Sequence, residues 1–393
     1  MQRFLIIGGS ILQLPAIQTA KDLGLYVGVV DRDPSAPGRK IADKFFQVST
    51  NDIDGIVRLA RDFLPDGVMT LATDMPVRSV ASVNECLGLP GISSKVALNA
   101  TDKVAMMECF KDYEVPIPWF KVVSSKIEFE NLLKTIWPPF ILKPNDSSGS
   151  RGVILVNDKE KADKGYDYAK AFSNSGLVLV EEYMQGPEVS VEIITYNGKS
   201  SVLAVTDKIT TGPPYFVEMG HSQPSLLPFE TVEKIKEVAI KAVKAIEIDN
   251  SPSHVEIKVT HNGPKLVELG ARLGGDCITT HLVPLSTGID MVKASIQLAL
   301  GQSPDIEKKL DKGVAIRYLN SREGILKEIK GFDILNRNNS VKHFEIVKQK
   351  GDIIKSIQSS NDRVGYVICQ SNTPLEAIRL CEKIIKKVKV ITQ

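Results

Sequence analysis

The chain has 393 residues, 43% of them hydrophobic and 24% charged, with a formal charge of +2. That length supports two or three domains, and the near-neutral balance gives no reason to expect a nucleic-acid partner. Lys234, Lys236, Lys241 and Lys244 read as the solvated face of a helix. The five cysteines (86, 109, 277, 369 and 381) are scattered without a CxxC pair, which points to reduced thiols in the cytoplasm and not to a disulfide frame or a zinc site.

The first ~95 residues alternate short apolar strands with helices. Phe4 to Ile7 reads as a buried strand, stopped by Gly8-Gly9 well short of a membrane span. Pro15 to Leu23 reads as a helix, Tyr26 to Val30 as a strand ending at Asp31, Gly67 to Leu71 as a strand and Pro76 to Leu87 as a helix. This βαβα order predicts a parallel sheet with right-handed crossovers. Residues 1–95 are therefore expected to form one α/β domain.

Residues 96–310 mix helices with β-branched runs and are expected to form an α+β domain of two subdomains, 96–175 and 176–310. Thr101-Asp102-Lys103 opens a helix whose first-turn lysine works against the helix dipole, a placement that suits a phosphate contact. Phe140-Ile141-Leu142 delivers Lys143 into a loop of small residues, Ser147, Ser148, Gly149, Ser150 and Gly152, before a strand from Val153. Such a loop lets backbone N–H groups approach an anion. It is not a P-loop, since no Gly-Lys-Ser/Thr and helix follow. Leu177 to Val180 reads as a buried strand whose edge could meet an adenine through backbone groups, with Glu188 available to a ribose. Tyr196-Asn197-Gly198-Lys199 marks a hairpin.

The strongest signal runs from His254 to Glu268. Two alternating strands flank a three-residue turn, His261-Asn262-Gly263, so that Lys258 faces Leu266 and Glu256 faces Glu268. Val255, Ile257, Val259, Val267 and Leu269 then point to the core. Like charges opposed across a ladder are destabilising, which predicts a cation between the two glutamates, and hard oxygen donors suggest Mg²⁺ shared with phosphates. Arg272 follows between glycines, placed to reach a transferring phosphoryl group or an oxyanion. Residues 311–393 form a third, α+β unit, whose last helix begins at the capping box Thr373-Pro374-Leu375-Glu376 and carries an apolar stripe through Ile378, Cys381, Ile384, Ile385 and Val388.

In this order, these segments resemble the carboxylate–amine ligases of the ATP-grasp superfamily, which include L-amino-acid (dipeptide) ligases and the purine-pathway and biotin-carboxylase relatives. The resemblance implies an ATP-grasp fold with a Rossmann-like pre-grasp domain and a small C-terminal α+β domain. It also implies amide or peptide bond formation through an acyl phosphate, releasing ADP and phosphate. Lys103 and Lys143 would hold ATP phosphates under the 147–152 lid, Glu181, Glu182 and Met184 would line the adenine, and Glu188 would take the ribose. Glu256 and Glu268 would bind Mg²⁺, with Mn²⁺ as an alternative, and Arg272 would stabilise the transition state. Many relatives carry asparagine two residues after the second glutamate; here that position is Gly270. Asp74, Lys208, Glu218, His221 and Asp276 are the candidate residues for small-molecule carboxylate and amine substrates, and a homodimer is compatible. The competing readings are a formate- or bicarbonate-using ligase, a non-catalytic ATP sensor with no need of Arg272, and an NAD-dependent oxidoreductase. For the last, Gly8-Gly9-Ser10 and Asp31 have the right interval, but Leu12-Gln13 stands where the fingerprint needs a third glycine.

Overall fold

The computed structural model describes residues 1–147, 149–331, 335 and 338–393. The N-terminal unit is a four-stranded parallel sheet in the spatial order Lys44–Phe46, Tyr26–Val30, Arg3–Ile7, Gly67–Met69. Its central strands are buried on both faces, with Phe4 to Ile7 fully inaccessible, which is why they read as unbroken apolar runs. Two further elements complete the unit, the strand Lys44–Phe46 and the helix Ile53–Phe63. Asp52 caps that helix by accepting from the Gly55 N–H at 2.9 Å, and Ile56, Ala60 and Phe63 pack inward. The loop after the first strand is filled from within. Gln13, 1% exposed, accepts from the Leu71 N–H at 2.7 Å, and its Cγ stands 3.0 Å from where a side chain at Gly8 would begin. Asp31 accepts from the Gly9 N–H at 2.8 Å. Asp31, on which the dinucleotide reading depends, is thus committed to bracing the loop, and Gln13 fills it.

A second sheet carries Phe120–Val123, Val178–Glu182, Phe140–Pro144 and Ile154–Val156, in that spatial order. The strand from Val178 pairs on both sides and so is internal. It has no free edge to present to an adenine; Glu181 and Glu182 at its C-terminal end, with Tyr183 and Met184 beyond, line a pocket.

The third sheet has eight antiparallel strands: Gly263–Gly270, Ser251–Thr260, Glu188–Tyr196, Lys199–Thr210, Glu218–Gln223, Gly313–Leu319, Gly365–Ser371 and Val341–Ile346. The 196–199 hairpin turns on Asn197 and Gly198, both at positive φ (49° and 75°), as a two-residue turn of this kind needs. The helix Phe229–Ile246 covers one face of the sheet, burying Ile235, Ala239, Ala242, Val243 and Ile246. Lys234, Lys241 and Lys244 stay exposed on its outer side, and Lys236 pairs with Glu233 at 2.7 Å. Because Glu218–Gln223 is hydrogen-bonded to Gly313–Leu319, residues beyond 311 continue the sheet of the preceding unit.

The last helix, Pro374–Ile385, packs Ala377, Cys381 and Ile384 against that extension. Thr373 Oγ1 accepts from the Glu376 N–H at 3.3 Å, and the Glu376 carboxylate accepts from Ser371 at 2.9 Å. Thr373→Ala should therefore cost about 1 kcal/mol in urea unfolding followed by circular dichroism. Thr373→Ser should cost much less. All five cysteines are free thiols. Among the described residues, no helix is long and apolar enough to cross a membrane.

Candidate active site

The hairpin Ser251–Thr260 and Gly263–Gly270 places Glu256 opposite Glu268, as the spacing predicts, by a different route. The loop has two residues, His261 and Asn262, so Thr260 faces Gly263 and Lys258 faces Lys265. A bulge between Glu256 and Ile257 then shifts the register by one and restores the Glu–Glu pair. The same shift puts Leu266 into the core at 0% exposure and turns Val267 to the cleft beside Glu268; Val267 is not the core residue that simple alternation predicts.

Two lysines neutralise this pair. Glu268 accepts from Lys103 Nζ at 2.7 Å and Glu256 from Lys208 Nζ at 3.1 Å. Lys103 also donates to the Ser147 carbonyl at 2.8 Å. Asn145, buried at 1%, receives the Val104 N–H at 2.9 Å and donates to Asp102 at 2.8 Å. The first turn of the helix Lys103–Asp112 is thereby tied to the small-residue loop. Lys143, at the end of its buried strand, pairs with Glu181 at 2.6 Å. Glu181, 3% exposed, is thus paired with a phosphate-side lysine at the wall of the pocket. Glu182 pairs with Lys265 at 2.8 Å.

Lys208, with a side chain only 3% exposed, is the centre of a carboxylate cluster. Glu188 lies at 2.9 Å, Glu256 at 3.1 Å and Glu218 at 3.7 Å. Burial alone would lower its affinity for a proton, but Glu188, Glu256 and Glu218 hold the ammonium well above its ordinary pKa. Burial likewise favours neutral Glu256, yet Lys208 and His254 keep it well below the usual carboxylate range. His254 bridges Glu192 (2.6 Å) and Glu256 (3.4 Å). Despite burial, Glu192 lifts its pKa to about 9. An imidazole thus stands beside the oxygen donors that the spacing marks.

Lys103, Lys143, Ser147, Gly149, Ser150, Glu181, Glu182, Met184, Glu188, Glu256 and Glu268 all line one pocket. Gly152 does not. It has φ +79°, and a Cβ there would lie 2.7 Å from Phe172 and 2.9 Å from Pro144, so it closes the loop where no side chain fits. Ser148 lies outside the described residues. Lys258, which donates to Glu188 at 3.2 Å, and the aromatic pair Tyr183 and Phe216 join the lining. Alternation on the hairpin strand marks Lys258, since it shares the face of Glu256; the aromatic residues carry no such signal.

The pocket opens into a cleft of about 630 Å³ that Asp74, Lys208, Glu218, His221, Glu256, Glu268, Arg272 and Asp276 all line. Arg272 is not the free side chain that flanking glycines suggest. Its Nε and Nη2 donate to Asp74 at 2.7 and 3.2 Å. A side chain at Gly270 would begin 3.1 Å from Arg272 Nε and 3.2 Å from Asp74 Oδ1, so glycine at 270 leaves room for this pair. Asp276 is gripped by Arg363 Nη1 and Nη2 at 2.9 and 2.8 Å and approached by His221 Nε2 at 3.4 Å. Arg363, from the C-terminal unit, has no local pattern that would have announced it.

No group of three His, Cys, Asp or Glu side chains with metal-holding geometry occurs among the described residues. Two opposed carboxylates beside a loop of small residues and two lysines nevertheless fit a cation that takes its remaining oxygens from phosphates and water, as Mg²⁺ does with a nucleotide.

Comparison with known proteins shows which families the chain is similar to. An ATP-grasp domain family matches residues 136–280, and the L-amino acid ligase C-terminal domain 2 matches residues 317–393. The chain is 30% identical over 278 residues to an alanine–anticapsin ligase of Bacillus subtilis, covering 65% of this chain and 58% of that one. It therefore spans under two thirds of that relative's length. A phosphoribosylglycinamide synthetase structure from Anaerococcus prevotii superposes with a TM-score of 0.80 at 25% identity, covering 100% of both chains. An L-amino acid ligase structure from Bacillus licheniformis superposes with a TM-score of 0.88 at 22% identity, again over 100% of both. At that identity the second likeness speaks for the fold.

Proposed function

The chain belongs to the ATP-grasp ligases, and from that premise we propose that it joins a small-molecule carboxylate to an amine through an acyl phosphate. One observation carries the reading. Lys103, Lys143, Ser147, Gly149 and Ser150 share a pocket with the Glu256–Glu268 pair, and this pocket opens directly onto the cleft that holds Arg272. Phosphate-binding and charge-stabilising groups thus meet a space large enough for two small substrates.

In the first step a carboxylate oxygen bonds to the γ-phosphorus of ATP as the bond to the β-phosphate oxygen breaks, giving acyl phosphate and ADP. In the second, the amine nitrogen bonds to the carbonyl carbon, the C–O bond to phosphate breaks, and the nitrogen loses a proton. Lys103 and Lys143 hold phosphate oxygens; each ammonium has three N–H donors and can reach one beside its present carboxylate partner, Glu268 or Glu181. Glu256 and Glu268 would hold Mg²⁺, which offsets charge on the phosphate oxygens when bound. Arg272 faces the charge that builds during transfer. Tyr183, Met184 and Phe216 supply the apolar part of the nucleotide pocket, and closure of the 147–150 loop excludes water from the acyl phosphate.

The test is phosphate release from ATP and Mg²⁺ across a matrix of amino acids and simple carboxylates paired with amines. Release that requires both a carboxylate and an amine, with ADP formed one-for-one, is the expected result. ATP with Mg²⁺ should also raise the melting temperature by mass action while NAD leaves it unchanged. Hydrolysis indifferent to the amine, or a shift with NAD alone, would sink the proposal.

A further inference from the structure

Glu192 takes no part in the steps above, yet it is a carboxylate at 0% exposure, set by strand pairing directly opposite His254. His254 Nδ1 lies 2.6 Å from Glu192 Oε1, and His254 Nε2 lies 3.4 Å from Glu256 Oε1. The three side chains form a chain that runs from the core to the opposed glutamates. The second oxygen of Glu192, Oε2, has no hydrogen-bond partner among the described residues. Leaving a buried carboxylate oxygen in that state costs free energy. A buried ion pair is often no more stabilising than apolar side chains of similar size, so fold stability is a weak reason for this one. The backbone also closes over it. A side chain at Gly274 would begin 2.6 Å from His254 Nδ1 and 2.9 Å from Glu192 Oε1, and the Gly274 carbonyl accepts from Thr279 Oγ1 at 2.6 Å. The imidazole is held by Glu192 and covered by this strap, which fixes the direction of its Nε2.

A carboxylate at each nitrogen favours a proton on both. The ring then has no lone pair for a metal and acts toward Glu256 as a donor. Its contact and that of Lys208 fall on the same atom, Glu256 Oε1, at 3.4 and 3.1 Å. Two donors on one oxygen orient the carboxylate and leave Oε2 for a cation. A second lysine in this place would bring an uncompensated positive charge toward that cation. Here Glu192 offsets the imidazolium, so the donor arrives with no net charge.

We propose that Glu192 and His254 are positioning residues for the cation site: Glu192 holds His254, and His254 holds Glu256 with one oxygen turned to the metal. Partners of this kind behind a metal ligand are worth about 10–100-fold in affinity. The inference rests on the cation placed at Glu256 and Glu268 in the ligase reading, and adds which buried groups set its affinity.

Mn²⁺ affinity is measured with ADP present, from the electron paramagnetic resonance signal of the free ion. Glu192→Met with His254→Leu removes the chain without changing net charge. It should weaken Mn²⁺ binding by about tenfold or more while the protein stays folded. Glu192→Gln with His254→Gln rebuilds an uncharged chain, because the amide at 254 can donate to Glu256 and accept from the amide at 192. This pair should stay within about threefold of the wild type. His254→Asn has a shorter amide that reaches Glu192 but not Glu256. It leaves Glu192 uncompensated, which by charge alone would tighten cation binding, so the expected loss of about tenfold reports position. In all three, ADP affinity in EDTA should be unchanged. The Mg²⁺ concentration for half-maximal amine-dependent phosphate release should rise with the Mn²⁺ Kd, while kcat at saturating Mg²⁺ changes by less than about threefold. Unchanged Mn²⁺ affinity in the apolar pair or in His254→Asn overturns the proposal. So does an equal loss in the amide pair, or a matching loss of ADP affinity without metal. If the wild type binds no Mn²⁺ beside ADP, the cation site and the proposal fall together. If the affinities follow the expected order but no amine elicits phosphate release, the positioning pair stands and the ligase reading alone has failed.

Discussion

Glu268→Gln and Glu256→Gln are each expected to lower turnover by about a hundredfold or more while leaving the protein folded. The loss follows from the donor set. With only two carboxylates facing the phosphate loop, either substitution removes half of the protein's charge toward a bound cation. A metal contributes several kcal/mol of charge stabilisation in such reactions, and about 1.4 kcal/mol is a factor of ten. The fold survives because the paired lysines keep other partners. Without the Glu268 charge, Lys103 still donates to the Ser147 carbonyl. Without the Glu256 charge, Lys208 retains Glu188 and Glu218. Glutamine removes the repulsion between opposed carboxylates but also an ion pair, so the melting temperature without ligand should fall modestly in Glu256→Gln, whose carboxylate Lys208 and His254 stabilise, and stay near level in Glu268→Gln. Phosphate release at saturating ATP across a Mg²⁺ titration, beside thermal unfolding of the same samples, is the measurement. Full activity in either variant would remove the metal site from the mechanism.

The hairpin shows what local pattern can and cannot carry. Alternation placed Glu256 and Glu268 on one face because side chains repeat every two residues. It could not reveal that the turn is one residue shorter and that a bulge makes up the difference, since both arrangements bring the same two residues together. The central N-terminal strands were legible for a stronger reason: buried on both faces, Phe4 to Ile7 and Val27 to Val30 carry no polar residues to confuse the reading. The helix Ile53–Phe63 carries an equally clear pattern, with Asp52 at its N-cap and Ile56, Ala60 and Phe63 on its buried face. The lysine partners were out of reach. Lys103 and Glu268 are 165 residues apart, and Arg272 and Asp74 are 198 apart; only the folded chain defines these pairs. Glu181 shows the same limit, since only strand pairing beside Lys143 reveals that its carboxylate meets that ammonium.

Arg272→Ala should lose turnover by about two to three orders of magnitude, as for other single electrostatic stabilisers, with a smaller change in ATP affinity because Lys103, Lys143 and the loop hold the ground-state phosphates. The Asp74 contact complicates this variant and also supplies its control. Burial would by itself raise the Asp74 pKa, and Arg272, with Lys103 and His254 behind it, keeps the carboxyl below its ordinary value. Alanine at 272 strands that carboxylate. Breaking a fully buried pair costs about 3–5 kcal/mol, and with side chains still 16% and 18% exposed a loss of about 1–3 kcal/mol is expected. The sign with pH follows. The pair contributes stability above the unfolded pKa of Asp74, and that contribution is lost as the pH falls through the depressed folded value, so the wild type and Arg272→Ala should converge in stability in acid. Asp74→Asn combined with Arg272→Ala removes both charges and should recover most of the stability at neutral pH. It should not recover turnover, because the group that meets the transferring phosphoryl is still missing. Arg272→Lys should recover stability better than rate, since an ammonium can pair with Asp74 but cannot supply the planar fork. Single-turnover ADP formation, equilibrium ATP binding and unfolding in these variants separate the two roles. If the double variant regains turnover along with stability, Arg272 serves only to hold the Asp74 segment in place, and the transfer step must draw its stabilisation from the lysines alone.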